Sequence, residues 1–202
     1  MKVKTLFLIC FLSITCLRNG ADKPVIQIHT DNSSLIFRIA DNGRLYQSYL
    51  GKKLSHETDI SHLPHGTEAY ITHGMEDYFE PAIHILHNDG NPSLLLKYVS
   101  HETKAVSQGV NETIITLGDD KYPVTVKLHY VTYPAEDIIK TYTEISHKEK
   151  KPVVLHQYAS SMLHLNRAKY YLTEFAGDWA HEANISDQPL EFGKKAVSYT
   201  HL

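Results

Sequence analysis

Sulfur chemistry is nearly absent from this sequence. Its two cysteines, Cys10 and Cys16, stand close to the amino terminus. Once that segment is removed the chain holds no thiol, which excludes disulfide staples, thiolate nucleophiles and cysteine-ligated metals. Tryptophan occurs once, at Trp179. No glycine-rich phosphate loop, G-x-S-x-G elbow or H-E-x-x-H helix is present. Basic excess is missing too: the net charge is −3, and −6 without Lys2, Lys4 and Arg18. That balance argues against a nucleic-acid partner. No apolar run reaches the roughly 20 residues of a membrane-spanning helix.

The longest apolar run, residues 5–15, follows Lys2 and Lys4 and has the length of a signal-peptide core. Residues 1–21 are therefore expected to be a signal peptide, cleaved between Cys16 and Asp22, after Gly20 or Ala21. The product would be exported, periplasmic or extracellular. A lipid anchor at Cys16 is the less favoured alternative, because Ser13 stands where lipoprotein signals usually carry leucine. Residues 22–202 are enough for one sizeable core, and without disulfides core burial must hold the fold together. Asn32, Asn111 and Asn184 open glycosylation sequons, relevant only if the source glycosylates its exports.

Period-two alternation runs through most of the remaining chain. Strands are predicted at 25–29, 35–39, 45–50, 82–86, 94–99, 113–117, 124–131, 138–145 and 153–165. Asp41-Asn42-Gly43 and Asn88-Asp89-Gly90-Asn91 supply tight turns, since Asn and Gly tolerate positive φ. Tyr133-Pro134-Ala135-Glu136-Asp137 is a proline-led turn. Gly51 is expected to end its strand, and 146–151 reads as a solvated hairpin tip. Periodicity fades over 52–80, where His56, His62, His65 and His73 read as solvated loop histidines. No pair has helical metal spacing and no cysteine joins them, so zinc is set aside. His84 and His87 are an odd number of residues apart, so they face opposite sides of an extended chain. With no ten-residue helical period and no linker, the pattern predicts one all-β domain, a large antiparallel β-sandwich.

The stretch 170–193 concentrates the unusual residues. Tyr171, Thr173 and Phe175 alternate with Leu172, Glu174 and Ala176, then the strand is expected to break at Gly177 before Asp178-Trp179. A carboxylate beside an aromatic plane at a strand end suits a pyranose, which offers one apolar face and many hydroxyls. Asp178 and Trp179 are therefore the candidate substrate-binding residues. The alternative is a tryptophan that plugs one end of the sandwich. Glycoside hydrolysis needs two carboxylates at a fixed separation. Glu76, Asp77, Asp178 and Glu182 cannot be paired by sequence, so no catalytic residue and no metal ligand is assigned.

Several local patterns resemble, in order, the N-terminal domain of glycoside hydrolase family 36, the α-galactosidases. They are Asp41-Asn42-Gly43-Arg44-Leu45 with Tyr49-Leu50-Gly51-Lys52, Tyr78-Phe79-Glu80-Pro81-Ala82-Ile83, and Leu96-Lys97-Tyr98-Val99-Ser100-His101. Leu128-His129-Tyr130, Tyr133-Pro134 and Asp137-Ile138-Ile139 follow. Ser160-Ser161-Met162 and Gly177-Asp178-Trp179-Ala180-His181-Glu182, with Pro189-Leu190 and Gly193, complete the series. The likeness spans about residues 25–195, nearly the whole mature chain.

The resemblance implies a β-supersandwich over 22–202, incomplete at its C-terminal end, that precedes a (β/α)₈ barrel in a three-part retaining enzyme. Family members draw nucleophile and acid/base from two barrel aspartates, so the resemblance implies no metal or cofactor, and no catalytic residue in this chain. It further implies an oligosaccharide substrate held by the barrel and a homo-oligomer of the full-length protein. Two departures stand out. Residues 54–72 are shorter than a loop that in some relatives reaches a neighbouring active site, so no ligand is transferred there. The closing Val197-Ser198-Tyr199-Thr200-His201-Leu202 does not continue the family pattern well. A free-standing carbohydrate-binding or interaction β-sandwich is the rival reading. A third keeps the family but changes the substrate to N-acetylgalactosaminides, or the reaction to galactosyl transfer.

Overall fold

The computed structural model describes residues 23–74, 80–165, 170–178 and 181–189. Within them the chain is nearly all β, with antiparallel strand pairing. One sheet holds β1 (Val25–His29), β2 (Ser33–Ile39), β3 (Leu45–Lys52) and β4 (Thr67–Glu68) in that order. A second holds β6 (Leu96–Ser107), β7 (Val110–Asp119), β8 (Val124–Tyr133) and β9 (Ile138–His147) in that order. Two further pairs join β5 (Ile83–Leu86) to β10 (Val154–Tyr158), and β11 (Tyr171–Asp178) to β12 (His181–Pro189). Among the described residues one short helix, α1 (Glu57–Ser61), lies between β3 and β4.

Register explains the core. Ile26 faces Phe37 and Ile28 faces Leu35 across β1–β2, so their side chains share one side. Ile115 opposes Leu128 and Leu117 opposes Val126 across β7–β8. These two inner faces meet in one buried cluster, joined by Ile83 and Ile85 of β5. Phe37 and Tyr130 touch across the layers, with ring centroids 5.1 Å apart. Each fully buried aliphatic or aromatic side chain contributes about 1.5–3 kcal/mol relative to exposure. At one end of the sandwich Asp137, in a left-handed conformation at φ 57°, accepts hydrogen bonds from Thr30 and Ser33. This pins the β8–β9 turn to the β1–β2 turn. Those bonds, Thr30's foremost, hold the Asp137 carboxyl below the usual range.

Several sequence expectations need correction. The strand expected over 153–165 stops at Tyr158. Beyond it, backbone carbonyls are taken by side chains instead of a neighbouring strand. Tyr70 Oη donates to Ala159 O, Thr143 Oγ1 to Ser160 O and Gln47 Nε2 to His164 O. β6 runs on to Ser107 although its apolar alternation ends near Val99, because an edge strand exposed on both faces needs no such alternation. β3 passes through Gly51 to Lys52. β11 passes through Gly177 with a register shift instead of breaking there. The 146–151 tip is not simply solvated, since the Glu149 side chain is 1 % exposed and sits against His87. The parity argument holds: His87 is buried with Ile83 and Ile85, whereas His84 is only half-buried on the other side.

Candidate functional site

The β11–β12 hairpin sets the position of the sequence candidates. Its pairing runs from Tyr171 opposite Pro189 to Asp178 opposite His181. Asp178 is thus the last residue of β11, at the hairpin's end. Trp179 lies outside the described residues, as do Glu76 and Asp77. One face of the ribbon carries Tyr171, Phe175 and Ile185, each 68 % exposed, with Phe175 directly opposite Ile185. Thr173 on the same face donates to Asp187 Oδ1 at 2.6 Å.

A groove of about 390 Å³ opens between the end of β3, the 63–64 loop and the residues His164, Leu165 and Tyr170. Tyr49, Tyr170 and His164 give it flat ring surfaces, Leu63 and Leu165 apolar ones, and Ser48 and Lys52 polar ones. Its volume falls in the range of small-ligand sites. Local sequence builds its walls. Tyr49 Oη donates to Lys52 O at 2.8 Å, and a Cβ on Gly51 would stand 2.9 Å from that hydroxyl. Glycine therefore lets the ring lie across the strand. Gln47 clasps the backbone of His164, donating to its carbonyl at 2.8 Å and accepting from its N–H at 3.2 Å. His164 Nε2 donates to Glu68 O at 2.7 Å. Glu68 in turn holds Arg44 through both guanidinium nitrogens Nε and Nη2, a two-point geometry suited to a buried carboxylate. The groove is thus fixed from beneath by an ion pair linking β4 to the first residues after the Asp41-Asn42-Gly43 turn.

Two other polar clusters were not visible in the sequence. Glu112 accepts from Tyr142 Oη at 2.6 Å, His129 Nδ1 at 2.9 Å and Lys104 Nζ at 3.0 Å. The hydrogen bonds from Tyr142 and His129 lead in holding its carboxyl at about 2. His87 places Nδ1 2.7 Å from Glu149 and Nε2 3.1 Å from Ser93 O, with its ring stacked on Tyr122 at 3.6 Å. Burial pushes the Glu149 carboxyl up, but hydrogen bonds from His87 and Asn88 together outweigh it and leave it below the ordinary value. Among the described residues no three His, Cys, Asp or Glu side chains converge as metal ligands. Alternation could have flagged Glu112 and His129 as same-face neighbours once the β7–β8 register was known, but not before.

These sheets define an antiparallel β domain, and the comparisons give it a family. Residues 42–201 match the glycosyl hydrolase family 36 N-terminal domain. The chain belongs to that family. The match runs to residue 201, so of the closing Val197-Ser198-Tyr199-Thr200-His201-Leu202 all but Leu202 fall within it. A probable α-galactosidase G of Aspergillus terreus is 24 % identical over 140 residues, covering 63 % of this chain and 19 % of that one. An α-galactosidase of Lactobacillus brevis is similar in structure at TM-score 0.71 and 20 % identity, covering 83 % of this chain and 27 % of that one. A family 36 α-galactosidase of Geobacillus stearothermophilus, solved as a variant with raffinose, is similar at TM-score 0.76 and 20 % identity, covering 84 % and 28 %. The chain therefore spans about a fifth of the fungal relative and little more than a quarter of the bacterial enzymes.

Proposed function

We propose that this chain is the N-terminal part of an exported retaining α-galactosidase, which removes terminal α-galactosyl residues from oligosaccharides. The match of residues 42–201 to the family 36 N-terminal domain carries the reading. Structural likeness to α-galactosidases solved with raffinose and with stachyose supports the glycan class. In this reading residues 1–21 direct export, and the supersandwich packs on a (β/α)₈ barrel that brings both catalytic aspartates. Two carboxylates suffice for such chemistry, so no metal enters it. The full-length protein forms a homo-oligomer. The bare face of β11–β12 supports a packing role, since a two-stranded ribbon is marginal until covered. Asp178, the last residue of β11, and Trp179, next to it in sequence, border the sugar.

The test is hydrolysis of an aryl α-galactoside. The pure 202-residue chain should show no turnover, and the product of a longer reading frame containing it should. Turnover by the short chain that disappears when one of its own carboxylates is replaced would overturn the reading.

A further inference from the structure

Three histidines that the functional reading leaves unused meet on the outer side of the β5–β10 pair. His84 of β5 lies face to face with His73 of the preceding loop, ring centroids 3.7 Å apart and planes 20° from parallel. His156 of β10 leans on the other side of His84 at 4.8 Å and 36°. They come from three segments tied together here. Thr72 bridges Ile83, His73 N–H donates to Ile83 O at 3.0 Å, and β10 pairs with β5 along its length. The pairing is irregular between Leu155 and Gln157, the place where His156 swings toward His84.

We propose that the His73–His84–His156 stack is an acid-sensitive clasp, closing the 72–74 loop onto the β5–β10 pair while neutral and loosening it when protonated. Neutral imidazoles stack favourably, but cations at this spacing repel one another with little water between them. Among the described residues, the following polar groups adjoin the stack. On the same face Gln157 stands opposite His84. Glu80 is the carboxylate on the adjoining segment, with Gln157 Nε2 donating to it at 3.2 Å. His87, the residue after β5, turns to the opposite side, where Glu149 receives it. Burial first, then the charges of His73 and His156, hold His84 below the ordinary histidine value of 6.5. A base held low in the folded state contributes stability that is complete above its unfolded value. That stability is lost as pH falls through it. The clasp is therefore shut at neutral pH and weakens below about 6.5.

Hydrogen exchange on the intact protein at pH 7.5 and 5.5, corrected for intrinsic rates, tests this. Protection over Ile83–Leu86 and Val154–Tyr158 should fall severalfold at the lower pH. Protection over β7 and β8 should not change. His84→Phe keeps a stacking ring without the charge and should abolish the fall. His156→Gln, at an exposed position, should make the fall smaller than in the wild type and serves if the first variant does not fold. Protection independent of pH in the wild type, or an equal fall in either variant, would overturn the proposal.

Discussion

At the scale of single residues, stability rests on polar groups whose partners lie far away in sequence. Arg44 and Glu68 are 24 positions apart, yet they form a buried pair under the groove. Removing one partner of such a pair leaves the other charge uncompensated, at about 3–5 kcal/mol. Arg44→Ala should therefore lower the urea midpoint strongly, and Arg44→Met with Glu68→Leu should recover most of the loss. Glu112 gives a pH signature of a different kind. Its carboxyl is held at about 2 from an ordinary 4.5. Its contribution is thus present above about 4.5 and lost as pH falls toward 2. In Glu112→Gln the slope of thermal stability over that acid interval should be shallower than in the wild type. Neither cluster was legible in the sequence, because a charged residue in a strand looks the same whether it faces water or a buried partner. Glu149 shows this most clearly, sitting in a lysine-rich tip yet buried against His87.

At the scale of elements, alternation was a good guide wherever one face is buried and a poor one elsewhere. β1 emerges with its expected bounds, Val25–His29, and β7 to β9 extend beyond their apolar runs. The 153–165 segment failed because its apolar residues belong to a strap held by Tyr70, Thr143 and Gln47, not to a ladder. Two glycines separate conformation from contact. Gly66 and Gly90 have nearly equal φ, +81° and +84°. A Cβ on Gly66 would meet Gln47 O at 1.9 Å, whereas nothing lies within 4 Å at Gly90. Both alanine substitutions carry the left-handed cost of about 1–2 kcal/mol. Gly66→Ala should lower the melting temperature well beyond Gly90→Ala, because it also pushes the loop off β3 and deforms the groove floor. The hairpin β11–β12 makes the converse prediction. Phe175 and Ile185 are already exposed, so replacing both by serine should change stability by no more than about 0.5 kcal/mol each. It should also improve monodispersity by removing an apolar patch.

At the scale of the whole molecule, the all-β class and its antiparallel sheets followed from period two and the turn residues. The pairing of β5 with β10, which sets Leu86 opposite Val154 and Ile83 opposite Tyr158, far apart along the chain, had no local signal. Family membership was legible for another reason. Weak pieces such as Asp41-Asn42-Gly43-Arg44-Leu45 and Gly177-Asp178-Trp179 gain specificity from their order, and the family match spans 42–201. The candidate site was legible only in part: β11–β12 bring Asp178 to a hairpin end, while the groove depends on Gln47, Glu68 and His164 meeting across long separations. The central claim is that this domain belongs to a larger glycosidase, and one long read across the gene beyond the Leu202 codon tests it most directly. The expected result is an open frame of a few hundred further codons patterned strand-helix-strand, whose product hydrolyses α-galactosides. A true stop directly after Leu202 would contradict it and leave a free-standing β domain whose glycan binding should then depend on Trp179.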